Sequence, residues 1–427
     1  MAMKTNRQQR LKLTGWGIPL AYALGTVVVG MVFPRLEHRF LPELVSTIST
    51  AAGMAICSSI SSGMIAMTGI VFSLAFVMVQ FSATAYSPRL VLWVARDPVV
   101  SHSLGVFSAT FLYALILLGW IDREATGRVP LISVFAVFVL LLASMGMFIA
   151  LIERIGRLQV NRMLIFTGDH GRESIAELYP VAVSAAPAAA TDDYLKLPVT
   201  QTLTFTGRPR VIQAVNVTAL VKLATDSGAV IEMVAAVGDT VLELTPLLQV
   251  RGARQAVDEP ALRDAIEIGD ERTFEQDPKY AIRLVVDIAI KALSPAINDP
   301  TTAVQALDQI EDLLIRLGQR RLRIGEYRDD QGALRLVVPF PTWDDFLRLA
   351  LDEIRFCGAT SVQVMRRMNA LIENLIAVLP AKRHAALRYW EKRLHATVAR
   401  TFADEAEQHD ASIADRQGLG IGEEKTL

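Results

Sequence analysis

Several things are scarce in this 427-residue chain, and each scarcity narrows what it can be. Cysteine occurs only at Cys57 and Cys357, one in each half and with no cluster of Cys or His around either. That removes a disulfide framework and a thiolate metal site, and both are read as buried thiols. An excess of one charge is also missing: 43 Lys and Arg against 44 Asp and Glu leave a net charge of -1. No basic field exists to attract nucleic acid. The six histidines, at 38, 102, 170, 384, 395 and 409, are scattered, with no metal-ligand spacing. His384 and His395 fall on a charged C-terminal helix and are read as solvated. The phosphate-cradling G-x-x-x-x-G-K-[ST], the zinc-binding H-E-x-x-H and the nucleophile elbow G-x-S-x-G are all absent. The pairs Asp329-Asp330 and Asp344-Asp345 have better uses as turn and cap residues than as an acid and a base. No catalytic residue, metal or cofactor is assigned, and the chain is not read as an enzyme.

The most informative absence is local. No charge occurs between Glu43 and Arg89. Overall, 52% of residues are hydrophobic and the mean hydropathy is +0.35, yet 20% are charged. The two facts fit because the apolar residues are segregated into the first 155 positions. About 20 apolar residues cross a bilayer. Four segments meet that length, at about 16–33, 60–79, 104–121 and 129–152. The first follows Lys4, Arg7, Arg10 and Lys12 but is long for a signal peptide and has no small-residue cleavage site, so it is read as a retained anchor.

Lysine and arginine beside the spans set the orientation. One side carries nine: Lys4, Arg7, Arg10, Lys12, Arg89, Arg96, Arg154, Arg157 and Arg162. The other carries four: Arg35, Arg39, Arg123 and Arg128. The first side is expected to be cytoplasmic, with both termini inside, as in a multi-pass protein of a bacterial inner membrane. Trp16 and Trp120 fall at the interfaces, where indole rings are favoured.

The uncharged stretch around span two is too long for one crossing. Either the helix overshoots the bilayer, or a short amphipathic or re-entrant piece from Val45 to Cys57 precedes it. Ser59, Ser62, Gly63, Ala66, Gly69, Ser73 and Gln80 form a small, weakly polar stripe at helical spacing. Such a stripe serves tight helix packing, because small residues let backbones approach and hydroxyls bond across the contact. It equally suits a pore lining built from one such helix per subunit. No Asp, Glu, Lys or Arg lies in a span core, which argues against an ion-coupled carrier.

The remaining residues read as α+β. Pro180 to Thr191 is an Ala/Pro-rich linker. Strands are expected at Leu203–Phe205, Val211–Val217, Ala229–Ala236 and Thr240–Val250, with a short helical patch from Thr218 to Ala224 and a turn at Gly238-Asp239. The string VAAVGDTVLELTPLLQV resembles the turn-and-strand signature of biotinyl/lipoyl-type small barrels without their modified lysine, which implies a barrel-like module. From Glu275 the pattern is helical. Asp277-Pro278 and Asp299-Pro300 each open a helix, with Asp as N-cap and Pro in the first turn. A hairpin turns at Asp329–Gly332, Thr342 and Asp345 form a capping box, and helices run over about 361–379 and 380–402. The domain reading is therefore 1–155 membrane, 156–260 linker and β-rich module, 261–403 helical module, and 404–427 a disordered tail.

Two stretches, GMIAMTGIVFSLAFVMVQFSATAYSPRL from Gly63 and LVVDIAIKALSPAINDPTTAVQALDQIEDLL from Leu284, resemble the bacterial predicted membrane protein family catalogued as domain of unknown function 2254. The resemblance spans nearly the whole chain. It implies an architecture, four membrane helices and a soluble part, and no settled activity. Within those motifs Arg89 suits a lipid phosphate or carboxylate, or an ordinary interfacial arginine. Asn298 and Asp299 suit a ligand or subunit contact, or a capped helix corner.

The leading expectation is a homo-oligomeric channel or channel-like pore conducting an ion or small solute, with span two as its lining and the soluble part as an assembly domain. Its outline is similar to that of small-conductance mechanosensitive channels. The alternative is a membrane-anchored scaffold or sensor. An enzyme acting on lipid precursors would need Arg89, Arg96, Asp97 and His102 to converge.

Overall fold

The structure is a computed structural model that describes residues 17–41, 48–85, 98–123, 129–156, 160–181 and 192–420. Its described residues divide into two compact units, one within residues 7–159 and one within 160–427.

In the first unit, four helices are long and apolar enough to cross a membrane. They are α1 (Gly17–Phe40), α2 (Thr50–Ala85), α3 (Pro98–Arg123) and α4 (Leu131–Gly156). α3 is the central helix and packs against the other three. Its inward residues Phe107, Ala109, Tyr113, Ala114 and Leu117 are buried. Small residues make these contacts close. A Cβ placed at Gly105 would lie 2.6 Å from the Tyr22 ring, and one at Gly30 would lie 3.2 Å from Ile116. Hydroxyls join α3 to α4: Thr110 Oγ1 donates to the Val106 carbonyl at 2.8 Å and lies 2.8 Å from Ser144 Oγ. The uncharged stretch resolves, within the described residues, into one overshooting helix. The 36 residues of α2 extend about 54 Å at 1.5 Å per residue, against a hydrocarbon core of about 30 Å.

The second unit is a mixed helical and sheet region. It comprises α5 (Val160–Leu178), β1 (Val199–Thr204), β2 (Arg210–Val215), α6 (Val217–Ser227), β3 (Val230–Met233), β4 (Thr240–Val241), β5 (Pro246–Arg251), α7 (Glu259–Asp264), β6 (Ile266–Gly269), α8 (Pro278–Ala292), α9 (Pro300–Gly318), β7 (Glu326–Arg328), β8 (Leu334–Val337), α10 (Trp343–Cys357), α11 (Val362–Val378), α12 (His384–Thr401) and α13 (Glu405–Ser412). One sheet has the order β1-β5-β3-β8-β7, antiparallel except for the β3–β8 pair. A second has the order β4-β2-β6. Leu203, Ile212, Leu220, Ile231, Val241 and Leu248 fill the core of this sheet region.

Neither sheet closes into a barrel, so the barrel-like module is corrected. The expected strand Thr240–Val250 breaks at residues 242–245. Leu244 takes a left-handed φ of 66° there, and Thr245 Oγ1 accepts from the Leu242 amide at 2.9 Å. The chain changes sheets at that turn: β4 joins one and β5 the other, so no single sheet curls round on itself.

Other differences have equally local causes. No helix was expected over 160–178, yet α5 forms there and buries Met163, Leu164 and Ile175 together with small residues. Gly171 sits against Leu313 and Ala281, with Thr167 and Ser174 buried beside it. These small residues interrupt the apolar pattern between Leu164 and Ile175. The Ala/Pro-rich linker expected at 180–191 lies, from residue 182, outside the described residues. The stretch from Asp404, expected to be disordered, carries α13 and continues to Gly420 against α11. There the Asp415 carboxylate accepts from the amides of Gln417 (2.8 Å) and Gly420 (2.6 Å). Asp277 stands at the N-cap of α8 without capping it; its carboxylate is drawn to Arg272 instead. By contrast Asp299 caps α9, the β7–β8 hairpin forms, and Thr342 with Asp345 makes a full capping box.

Candidate functional site

α2 has two unlike faces. Toward its own chain it buries Gly53, Cys57, Ser61, Met64 and Val71. Cys57 packs with Tyr113, Ala114 and Leu117, while Met64 and Val71 pack with Phe107 and Leu151. At about 100° per residue, the stripe Ser59, Ser62, Ala66, Gly69, Ser73 and Gln80 falls on roughly the opposite side, with Gly63 at its margin. All seven are exposed. A Cβ added at Gly63 or Gly69 would meet nothing within 4 Å. The stripe is narrow and bordered by exposed apolar side chains, with Ile65, Phe72 and Phe76 on one flank and Ile70 and Val77 on the other. Intramolecular packing thus accounts for one face of α2 and leaves the polar one open. Chemically, that face offers the hydroxyls of Ser59, Ser62 and Ser73 and backbone at close approach, with no ionisable group.

Glu37 is the buried acid that sequence reading missed. Span one was expected to end at residue 33, but α1 continues past Pro34 to Phe40. Glu37 is 7% exposed. Its carboxylate accepts from the amides of Ile132 (2.7 Å) and Ser133 (2.9 Å) and from Ser133 Oγ (2.7 Å). These are donors of the first turn of α4, which no intrahelical carbonyl can satisfy and whose dipole favours a negative charge. A signal existed: Val129-Pro130 precedes α4 without any Ser, Thr, Asp or Asn to cap it, so the acceptor had to come from elsewhere.

The remaining candidates do not gather into one site. Arg89, Arg96 and Asp97 lie outside the described residues, and His102 Nδ1 lies 3.3 Å from Tyr22 Oη. At the α8–α9 corner, exposed Asn298 takes a left-handed φ of 48°, and its amide donates to the Ser294 carbonyl at 2.9 Å. Asp299 is occupied by the Thr302 amide (3.1 Å) and hydroxyl (2.6 Å). These hydrogen bonds are those of a capped helix corner. His384 is held by the Leu379 carbonyl at 2.9 Å rather than merely solvated. Among the described residues no group of three His, Cys, Asp or Glu could hold a metal ion. Ion pairs knit the helices. Arg283 on α8 binds Asp287 on the same helix and Glu353 on α10, and this hydrogen bond holds the Glu353 carboxyl below its usual range. Burial pushes the Cys357 thiol up, reinforced by the charge of Glu353.

The family described as predicted membrane protein, domain of unknown function 2254, matches residues 13–374 of the chain. An uncharacterised protein of Mycobacterium bovis is 27% identical over 410 residues, covering 92% of this chain and 78% of its own length. An uncharacterised protein of Mycobacterium tuberculosis is similar to the same degree. No solved structure matches the chain.

Proposed function

The chain belongs to the predicted membrane protein family of domain of unknown function 2254, and from that premise we propose that it is a homo-oligomeric channel for an ion or small solute. Its place is the bacterial inner membrane, with both termini in the cytoplasm, α2 lining the conduit, and the 160–427 unit serving as a cytoplasmic assembly domain. One observation carries this reading. The stripe residues Ser59, Ser62, Gly63, Ala66, Gly69 and Ser73 are exposed on α2, and a Cβ added at Gly63 or Gly69 meets nothing within 4 Å. Hydroxyls and exposed backbone gain nothing from lipid tails, so such a face is better matched to a neighbouring subunit or to water. The nine-to-four asymmetry of Lys and Arg supports the orientation.

The test uses the full-length protein in planar bilayers under voltage and tension. Discrete conductance is expected, and Gly69→Trp or Ser73→Trp should reduce it severalfold or abolish it. Silent bilayers from a folded oligomer would overturn the channel. In the Cys357→Ser background, cysteines placed at Ser62, Ala66 and Ser73 should react with water-borne thiol reagents. Labelling only by reagents confined to acyl chains would remove the stripe from the conduit. A second reading, a membrane-anchored scaffold or sensor, is favoured by the separate compactness of the 160–427 unit. It predicts that this fragment folds alone and captures one defined ligand.

A further inference from the structure

In the 160–427 unit two buried polar atoms share one small cavity. Tyr179, just past α5, is fully buried, with its ring edge-on to Phe340 and Phe346. Asp277, just before α8, is 2% exposed. One carboxylate oxygen, Oδ2, is held by Arg272 at 2.6 Å. The approach is so tight that Gly238, at φ 89°, has no room for a Cβ beside it. The other oxygen, Oδ1, and the hydroxyl of Tyr179 have no hydrogen-bond partner among the described residues. Both residues line a cavity of about 20 Å³, walled by Val237, Pro339, Phe340 and Pro341.

Native interiors do not leave a carboxylate oxygen and a phenol unsatisfied side by side without compensation. The dimensions decide what compensates. A buried water needs roughly 10–15 Å³ of such space and two to four polar partners; the cavity holds one and not two. A metal cation is disfavoured, because Arg272 already neutralises the carboxylate and Lys279 also lines the cavity. We propose that this cavity is the binding site of a single structural water. The water donates to Asp277 Oδ1 and accepts from the Tyr179 hydroxyl. It links two segments far apart in the chain, the end of α5 and the start of α8, beneath a wall formed by the connection from β8 to α10. Because Pro339 and Pro341 have no amide hydrogen, that wall adds few donors of its own.

An experimental structure of the full-length protein, resolved well enough to show solvent, tests this directly. The expected result is one peak at about 2.6–3.2 Å from both Tyr179 Oη and Asp277 Oδ1. Tyr179→Phe in the full chain then removes a partner of that water, and Tm should fall by about 2–4 °C. An empty cavity, a direct Tyr179–Asp277 hydrogen bond, or a peak at metal–oxygen distances of about 2.4 Å would each overturn the proposal. So would a Tyr179→Phe variant with unchanged or raised Tm, since removing a truly orphaned hydroxyl costs nothing.

Discussion

Two sets of hydroxyls within residues 17–156 point in opposite directions. On α3 and α4, Ser103, Thr110, Ser133 and Ser144 are buried and bonded inside the unit: Ser103 to the Met147 carbonyl, Thr110 beside Ser144, Ser133 to Glu37. On α2, Ser59, Ser62 and Ser73 are exposed, and their helix packs through its other face. The first set holds a protomer together. The second is left for something outside it. The 160–427 unit sharpens the contrast. There α8 buries ten of its 15 residues, whereas α2 buries one face against its own unit and leaves the small, polar stripe exposed.

The strongest way to break this comparison is to substitute on both sides of it. Phe346→Ala removes a fully buried ring of α10 and should cost about 3–5 kcal/mol, read as a drop in the thermal unfolding of the full chain. Gly69→Leu, which meets open space, should leave protomer unfolding within about 0.5 kcal/mol while shifting the oligomer mass seen by light scattering. A loss at Gly69 equal to that at Phe346 would mean that the stripe is already packed inside the protomer.

A smaller effect is expected at Glu37. Glu37→Ala strands the amides of Ile132 and Ser133 in a buried position, which should cost roughly 2–3 kcal/mol. A Glu37→Gln variant, which keeps an acceptor but loses the charge, should recover part of it. A Glu37→Gln variant as stable as the unaltered chain would show that charge against the α4 dipole contributes nothing.

The smallest is electrostatic and lies in the 160–427 unit. The hydrogen bond from Arg283 holds Glu353 below its ordinary 4.5. A carboxyl depressed in the folded state contributes stability that is present above about pH 4.5 and is lost as pH falls through the lowered value. Acid unfolding of Glu353→Gln should therefore be less steep below that pH than that of the unaltered chain. Because Glu353 is half exposed, screening keeps the difference small. Superimposable acid profiles would show that the pair contributes nothing measurable.

What was legible followed from where the governing physics lies along the chain. The four apolar runs, the β7–β8 hairpin, the Thr342–Asp345 box and the Asp299 cap each depend on residues within a few positions of one another, so pattern alone reveals them. α5 was missed because Thr167, Gly171 and Ser174 interrupt the apolar pattern between the buried Leu164 and Ile175. The span-two stripe was legible as a stripe but not as a direction.

The amino-acid order by itself determined that four segments would favour lipid over water, that a mixed helical and sheet unit would follow, and that particular helices would begin at particular Asp and Thr residues. Those are transfer and capping energies, settled within one turn or one span. Only the tertiary structure decided that the stripe of α2 turns from its own bundle, that Glu37 reaches across 95 positions to the Ile132 amide, and that β4 and β5 part into different sheets. Each of these depends on which distant element occupies the neighbouring space, and that competition is resolved only when all the elements pack together.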